Sequence, residues 1–313
     1  LLLHASVFAL PTAMAQERRA FLAADSSKQR IAIVAEDGSI TWEHPIGPLH
    51  DLHRLENGHV LFQTNWTRVV EVNPDTNQIV WEYDGAKSGP ERIEIHAFQR
   101  LENNRTLVAE SGRSRLLEID SQGQIVAKIP LRVSAPDPHR DTRLVRKTKA
   151  GNYLVCHEGD GLVREYNPQG EIIWDYEVPL FNRERADGHG PEGFGNQCFA
   201  ALRLENGNTL ISTGNGHSII EVSPKKEIVW KLDGSDLPGI ELAWITTLQV
   251  LPSGNIAFGN CHAGPKNPQI IEVNRHKEIV WSFCDFERLG NELTNSQILS
   301  VNGTRILHAD LIR

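Results

Sequence analysis

The chain has 313 residues, 40% of them hydrophobic and 23% charged, with a formal net charge of −8. That balance belongs to a globular chain able to bury a core. It argues against a nucleic acid or an anionic membrane surface as partner, since either wants a basic face.

The first segment, LLLHASVFALPTAMA, is apolar and ends in Ala13-Met14-Ala15. This reads as the h-region and small-residue cleavage site of a secretory signal peptide over residues 1–15, too short to span a bilayer. The expectation is a periplasmic or secreted protein, residues 16–313 forming a single domain with no integral membrane segment.

From Arg30, RIAIVAEDGSITWEH reads as two strands, and then one unit recurs. It has a polar or histidine-bearing start, an apolar stretch, Asn-Gly, and three short strands, the last often carrying Trp. The copies HDLHRLENGHVLFQTNWTRVVEVNPDTNQIVWEY from His50 and QCFAALRLENGNTLISTGNGHSIIEVSPKKEIVWKL from Gln197 show it most plainly. The turn position falls at Gly58, Asn104, Gly151, Gly207, Gly254 and Gly303, residue types that tolerate the positive φ of a tight hairpin. A four-strand unit repeating every 40–50 residues or so predicts an all-β fold, a six-bladed β-propeller of four-stranded blades. Trp81, Trp174, Trp230 and Trp281 recur once per unit and read as packing between blades; Ala127 at the same place shows that the position is no shared ligand.

The chain ends are expected to close the ring. The N-terminal piece matches the third and fourth strands of a blade, and NSQILSVNGTRILHADLIR the first and second. Closing a split blade removes exposed edges. FLAADS, near Phe21, is then surplus, which leaves seven blades open.

The connections on one face are short; those on the other are long and rich in Gly and His: PDPHRDTR, HEGDG, RERADGHGPEGFGNQ, GNGHS, GNCHAGPKNPQ and DFERLGNELTNSQ. Loops on a rigid scaffold are where such folds place function. The residue opening each innermost strand should face the central channel, and reads His50, His96, Arg143, Phe199, Thr246 and Asn295 around the ring, while the second strands exit at Glu110, His157, Glu158, Asn260 and His262. Imidazoles, guanidinium groups and carboxylates converging on one point suit an anionic or sugar-like ligand. A solvated polar tunnel is the plain alternative. His50, His96, Arg143 and His157 are therefore candidate catalytic residues, and Glu110, Arg140, Glu158, His189, Asn260, His262 and Asn295 candidate ligand-binding residues. Arg140 and Arg143, in HRDTRLVRK, are the first choice of anion clamp.

The segment GHGPEGFGNQ lacks the Lys-Ser/Thr of a phosphate loop and reads as a lid exposing His189 and Glu192. A divalent metal would need ligands converging from His50, His96, His157 or His262, because no HExxH pair exists. Cys156, Cys198, Cys261 and Cys284 form no CxxC pair; an exported context permits disulfides in any of three pairings, but three of the four lie in or beside predicted strands and buried free thiols are the expectation.

The strand-turn-Trp unit, especially EVNPDTNQIVWEY and EVNRHKEIVWSF, resembles the PQQ-like (quinoprotein-type) propeller repeat over almost the whole chain. That resemblance implies the fold. PQQ itself is not expected, since the chain has fewer blades than the eight-bladed quinoproteins and no adjacent cysteines. HDLHRLENGHVL is also similar to a segment of the arylsulfotransferase-like propellers, which implies sulfate transfer through a histidine with His50 or His96 and Arg143 as the matching residue types. The expected function is binding of a small polar or anionic ligand, of sugar, uronic acid or sulfate type, with no cofactor required. The alternatives are histidine-mediated group transfer, a metal-assisted polysaccharide lyase, and a non-catalytic protein-interaction scaffold.

Overall fold

The computed structural model describes residues 17–307, 310 and 312–313. The expected signal peptide over 1–15 and His308 lie outside the described residues. Within them the strands form six sheets. Five are continuous four-stranded antiparallel blades, each strand following the last from the channel outward. Blade two runs Leu52–Arg54, Val60–Gln63, Arg68–Asn73, Gln78–Asp84, and blade three Glu94–Arg100, Thr106–Ser111, Arg115–Ile119, Ile125–Pro130. Blade four is Val145–Lys147, Tyr153–His157, Leu162–Tyr166, Ile172–Glu177, and blade five Ala200–Arg203, Thr209–Ser212, Ser218–Val222, Ile228–Asp233. Blade six is Trp244–Val250, Ile256–Cys261, Ile270–Val273, Ile279–Phe283.

Blade one is the split blade, and it corrects the expected division. Its second, third and fourth strands, Arg19–Asp25, Arg30–Val34 and Ile40–Pro45, all come from the N-terminal side, and only Leu293–Val301 comes from the C-terminal side. FLAADS is therefore the second strand and not a surplus segment, and the ring has six blades. Its alternating FLAA core is buried against both neighbours, which a seventh, isolated strand would not be. The C-terminal segment expected as the second strand instead contributes Thr304–Arg305, a short pairing on the channel side of Leu293–Val301.

The predicted turn position has positive φ at all six sites, 83° at Gly58 and 60° at Asn104 among them. In blade two, however, Asn57 is not left-handed, Gly58 N–H donates to Leu55 O, and Leu55 N–H to His59 O. This is a type I turn followed by a left-handed residue, rather than a two-residue hairpin. Asn302 and Gly303 do both have positive φ, 50° and 83°, as the two-residue form requires.

Each of the six junctions between neighbouring blades holds its own apolar cluster, which is how a closed ring of sheets buries both faces of every blade. Leu22, Leu52 and Phe62 fill the junction of blades one and two, and Phe21, Ile270 and Leu293 that of six and one. The recurrent Trp side chains border these clusters, Trp81 between blades two and three and Trp174 between four and five. A charged staple repeats beside them. A buried third-strand glutamate takes a cation from the next blade: Glu71 from Arg100, Glu118 from Lys147, Glu165 from Arg203, Glu221 from Arg275 and Glu272 from Arg19. Three of these arginines, Arg100, Arg203 and Arg275, also stack on the Trp of the blade they clasp. At the junction of blades one and two the equivalent third-strand residue, paired with Trp42, is Ile33, and apolar packing replaces the ion pair.

A histidine, arginine and carboxylate centre at the axial cavity

A cavity of about 730 Å³ opens at the end of the axis that carries the long connections. Every blade or its connecting loops contributes to its wall, including His50 and Trp66 from blade two, Arg143 and Glu158 from blade four, Phe199 from blade five, and Trp244 and His262 from blade six. The channel-facing register brings His50, Arg143, Phe199 and Thr246 to the wall as expected. His96 lies one layer behind, fully buried, with its Nδ1 2.8 Å from Nδ1 of His50.

The positions follow from local sequence. Glu94 and His96 stand two apart in one strand, so the pleat turns both side chains to the same face. PDPHRDTR bridges blades three and four; Arg140 N–H and Asp141 N–H both donate to Asp137 O. That turn delivers His139 beside Glu94, with Nδ1 2.6 Å from Oε2. Nε2 of His96 is 3.4 Å from the same carboxylate, and Arg92 Nη2 donates to its other oxygen at 2.7 Å. Trp66 packs against three imidazoles at once, its centroid 5.0 Å from His50, 5.1 Å from His96 and 5.3 Å from His139.

Arg143 is 4% exposed and Glu158 3%, and they form an ion pair at 2.5 Å. Nε of Arg140, on the cavity wall, lies 3.4 Å from the same carboxylate. Two guanidinium groups against one carboxylate leave this corner with a surplus positive charge. Burial lowers the pKa of His50 well below the ordinary imidazole range, helped by the field of Arg143. Burial likewise brings His96 down to about 3, against the opposing pull of Glu94. Burial pushes Glu94 up, but hydrogen bonds from His96, His139 and Arg92 outweigh it, and its carboxyl lies below the usual range. For Glu158 burial wins and raises the pKa despite Arg143 and Arg140. At neutral pH, His50 and His96 are thus uncharged rings able to accept as well as donate.

Beneath His50 lies a second buried polar layer. Asn295 Nδ2 donates to His50 O at 2.8 Å, and Asp51 takes both Nη1 and Nη2 of Arg146, at 2.8 and 3.0 Å. Asn295 therefore holds the backbone of a wall residue without lining the cavity itself.

The other candidates fall in three places. His189 and His262 line the opposite rim, 5.5 Å apart, with Trp244 5.4 Å from His189. His157 turns into blade four: its Nδ1 is 2.8 Å from Asp141 O and its Nε2 2.9 Å from the Tyr166 hydroxyl. Asn260 accepts from Ala243 N–H and donates to Glu241 O, tying a loop. Glu110 binds the Tyr83 hydroxyl and Arg115, so it braces blade three. The second-strand exits thus mostly serve the scaffold, with Glu158 and His262 at the cavity. His157 and His262 are not drawn together with His50 and His96 as a ligand set; among the described residues the Glu94, His96 and His139 cluster is the one able to coordinate a metal ion. Glu94, His139 and Trp66 escaped the sequence-based site, and the EIH spacing on one strand was the signal that could have found Glu94. The connection after blade four contributes residues 185–189 to the cavity wall, with Ala186 bridged to Phe194. Cys156, Cys198 and Cys261 are buried free thiols, and Cys284 is a free thiol at the surface. Among the described residues no helix is long and apolar enough to cross a membrane.

Comparison with solved structures supports the architecture. A protein of unknown function from Bacteroides caccae superposes with a TM-score of 0.74 at 22% identity, covering 88% of this chain and 97% of that one. A streptogramin B lyase reaches 0.56 at 13% identity, covering 85% and 80%. A catalytically inactive virginiamycin B lyase from Staphylococcus aureus, with quinupristin, reaches 0.56 at 12% identity, covering 87% and 86%. At these identities the likeness is one of fold. No curated protein matches the chain. The PQQ_2 family model, described as outer membrane protein assembly factor BamB, matches residues 27–282, well over half of the sequence, and the chain therefore belongs to that family of propellers.

Proposed function

We propose that this propeller binds a small anionic ligand, a uronic acid or sulfate ester, in the axial cavity, and that it does so as an exported protein. The observation that carries the reading is Arg140, a half-exposed cavity-wall guanidinium that shares the single carboxylate of Glu158 with Arg143. It stands in the corner that Arg143 makes net positive. Paired oxygens of a carboxylate or a sulfate match a guanidinium fork. Trp66, Phe199 and Trp244 on the wall supply flat apolar surface for a sugar ring or a phenol.

A second reading is group transfer or proton abstraction at His50. It is favoured by a ring held neutral and oriented through Nδ1 by His96, since an uncharged imidazole is the form that attacks or accepts a proton.

The test is a thermal-shift panel of uronic-acid oligosaccharides and sulfated phenols against the wild-type protein and Arg140→Ala. A ligand at a hundred times its Kd stabilises by about 2.7 kcal/mol. A shift in wild type that disappears in Arg140→Ala supports the reading. No shift with any anion, or one that survives the substitution, overturns it. Turnover of the ligand that binds, abolished in His50→Gln, would select the second reading.

A further inference from the structure

Behind the cavity wall, the cluster of Glu94, His96 and His139 has a chemistry that an anion pocket does not need. We infer that these three residues form a binding site for a divalent first-row transition-metal ion, of which zinc is the best match.

Three features carry this inference. The first is the donor set. Two imidazole nitrogens and one carboxylate oxygen all lie within 4.8 Å of one another. Mixed nitrogen and oxygen ligands suit zinc and its neighbours, whereas magnesium and calcium take oxygen ligands.

The second is the environment of His96 Nε2. On the Nδ1 side this ring makes a good hydrogen bond of 2.8 Å to His50. On the Nε2 side it meets only acceptors at long range, Glu94 Oε2 at 3.4 Å and Pro138 O at 3.3 Å. With the shared proton on His96 Nδ1, Nε2 turns its lone pair to the gap that Glu94 Oε2 faces, an arrangement a cation completes. The separation between Glu94 Oε2 and His96 Nε2 is already that of a tetrahedral edge, about 3.3–3.6 Å for metal–ligand bonds of about 2.0–2.2 Å. His139 Nδ1, 2.6 Å from Glu94 Oε2, must open by less than 1 Å or so to reach the same edge. It can, because its side chain is 43% exposed and belongs to a loop.

The third is the supporting shell. Metal-bound histidines usually give their second N–H to a fixed partner, and ligating carboxylates are themselves hydrogen-bonded. His50 provides the first through His96 Nδ1, and Arg92 provides the second on Glu94 Oε1. His139 is on the cavity wall, so a coordination position not filled by protein faces the pocket. Because His50 is hydrogen-bonded to a ligand and also lines the cavity, it links the ion to whatever the pocket holds. The inference rests on different side chains from the Arg140 and Arg143 corner and stands whether or not an anion binds there.

The experiment uses the full chain, stripped with a chelator, dialysed against zinc, and assayed by elemental analysis. Cobalt substitution then gives a visible d–d spectrum. Quenching of tryptophan fluorescence by cobalt reports proximity to Trp66 when compared with Trp66→Phe. One equivalent of zinc, a four-coordinate cobalt spectrum and no retention of magnesium are expected. His139→Ala, at an exposed loop position, should fold like wild type by circular dichroism and weaken binding ten-fold or more; Glu94→Gln should do the same. His189→Ala, at the opposite rim, should leave affinity unchanged. Substoichiometric zinc in wild type, equal affinity in His139→Ala, or loss of binding in His189→Ala with retention in His139→Ala would each overturn the assignment.

Discussion

His50 and His96 meet Nδ1 to Nδ1 at 2.8 Å, one ring on the cavity wall and the other fully buried behind it. Two ring nitrogens can share such a contact only if one carries the proton and the other offers its lone pair. The two tautomers are therefore linked, and a change at one ring is felt at the other.

Removing His50 should expose that dependence. His50→Ala leaves Nδ1 of a buried ring unpartnered, at a cost of about 1–3 kcal/mol. Urea unfolding of the variant and wild type measures it. A difference within about 0.5 kcal/mol, the range of an inert surface change, would mean that the contact contributes nothing.

Arg143 and Glu158 form a buried pair, so their separate removal should be far worse than their joint removal. Arg143→Met leaves a buried carboxylate with only the longer contact to Arg140 and should cost about 3 kcal/mol. Adding Glu158→Gln to Arg143→Met should restore part of that loss. Additive effects in the double-mutant cycle would show that the two side chains are not coupled.

The pH dependence of stability should carry the signature of His157. Burial first, and the field of Arg164 second, bring this imidazole down to about 4 from 6.5, against the opposing bond to Asp141 O. Tyr166 and Asp141 O fix its neutral form. In the unfolded chain the ring protonates near pH 6.5, so the unfolded state binds more protons below that value and stability falls with pH. The loss runs from about pH 6.5 to about pH 4 and amounts to roughly 3 kcal/mol at 1.36 kcal/mol per pH unit. His53, brought to about 4 mainly by burial, adds in the same direction. Chemical denaturation at pH 7, 5.5 and 4.5 should show a shallower slope in His157→Gln than in wild type. An unchanged slope would assign the acid sensitivity elsewhere.

The staple between blades six and one should govern how firmly the ring is shut. Glu272 receives Arg19 Nε at 2.7 Å and Nη2 at 3.0 Å, and Asn255 Nδ2 at 2.7 Å. Glu272→Ala removes two of the acceptor bonds of a buried guanidinium and leaves it Glu17 Oε2 at 2.8 Å and Arg18 O at 2.9 Å, an effect of about 1–3 kcal/mol. Amide exchange should quicken first in Arg19–Asp25 and Leu293–Val301. Uniform acceleration across all blades would instead indicate global unfolding.

The sequence made the ring legible because its turns and outer strands repeat: a left-handed residue at each hairpin and a large ring beside each junction are local requirements, visible in short windows. The closure was harder to read. Arg19–Asp25 lacks the Asn-Gly turn that marks a second strand elsewhere, because its partner Leu293–Val301 comes from the other end of the chain. Site residues were legible where the inner-strand register held, as at His50, Arg143 and Phe199. They were not at the second-strand exits, where His157 and Asn260 find partners inside their own blades. A one-residue change of parity exchanges cavity for core, and bulges such as the one between Ile95 and Phe98 shift that parity without a mark in composition.

The three-plus-one closure sets an order of events during synthesis. Arg19 pairs with Val301, so the first strand of the ring waits for the strand that follows blade six. Until then Arg19–Asp25 presents an unpaired inner edge, the kind of surface that recruits foreign strands. Contacts this distant in sequence also form slowly, since their loop entropy comes before their reward. The growing chain is thus most open to misassembly in the interval between finishing blade six and sealing blade one, and a chaperone that acts on it would have its substrate there.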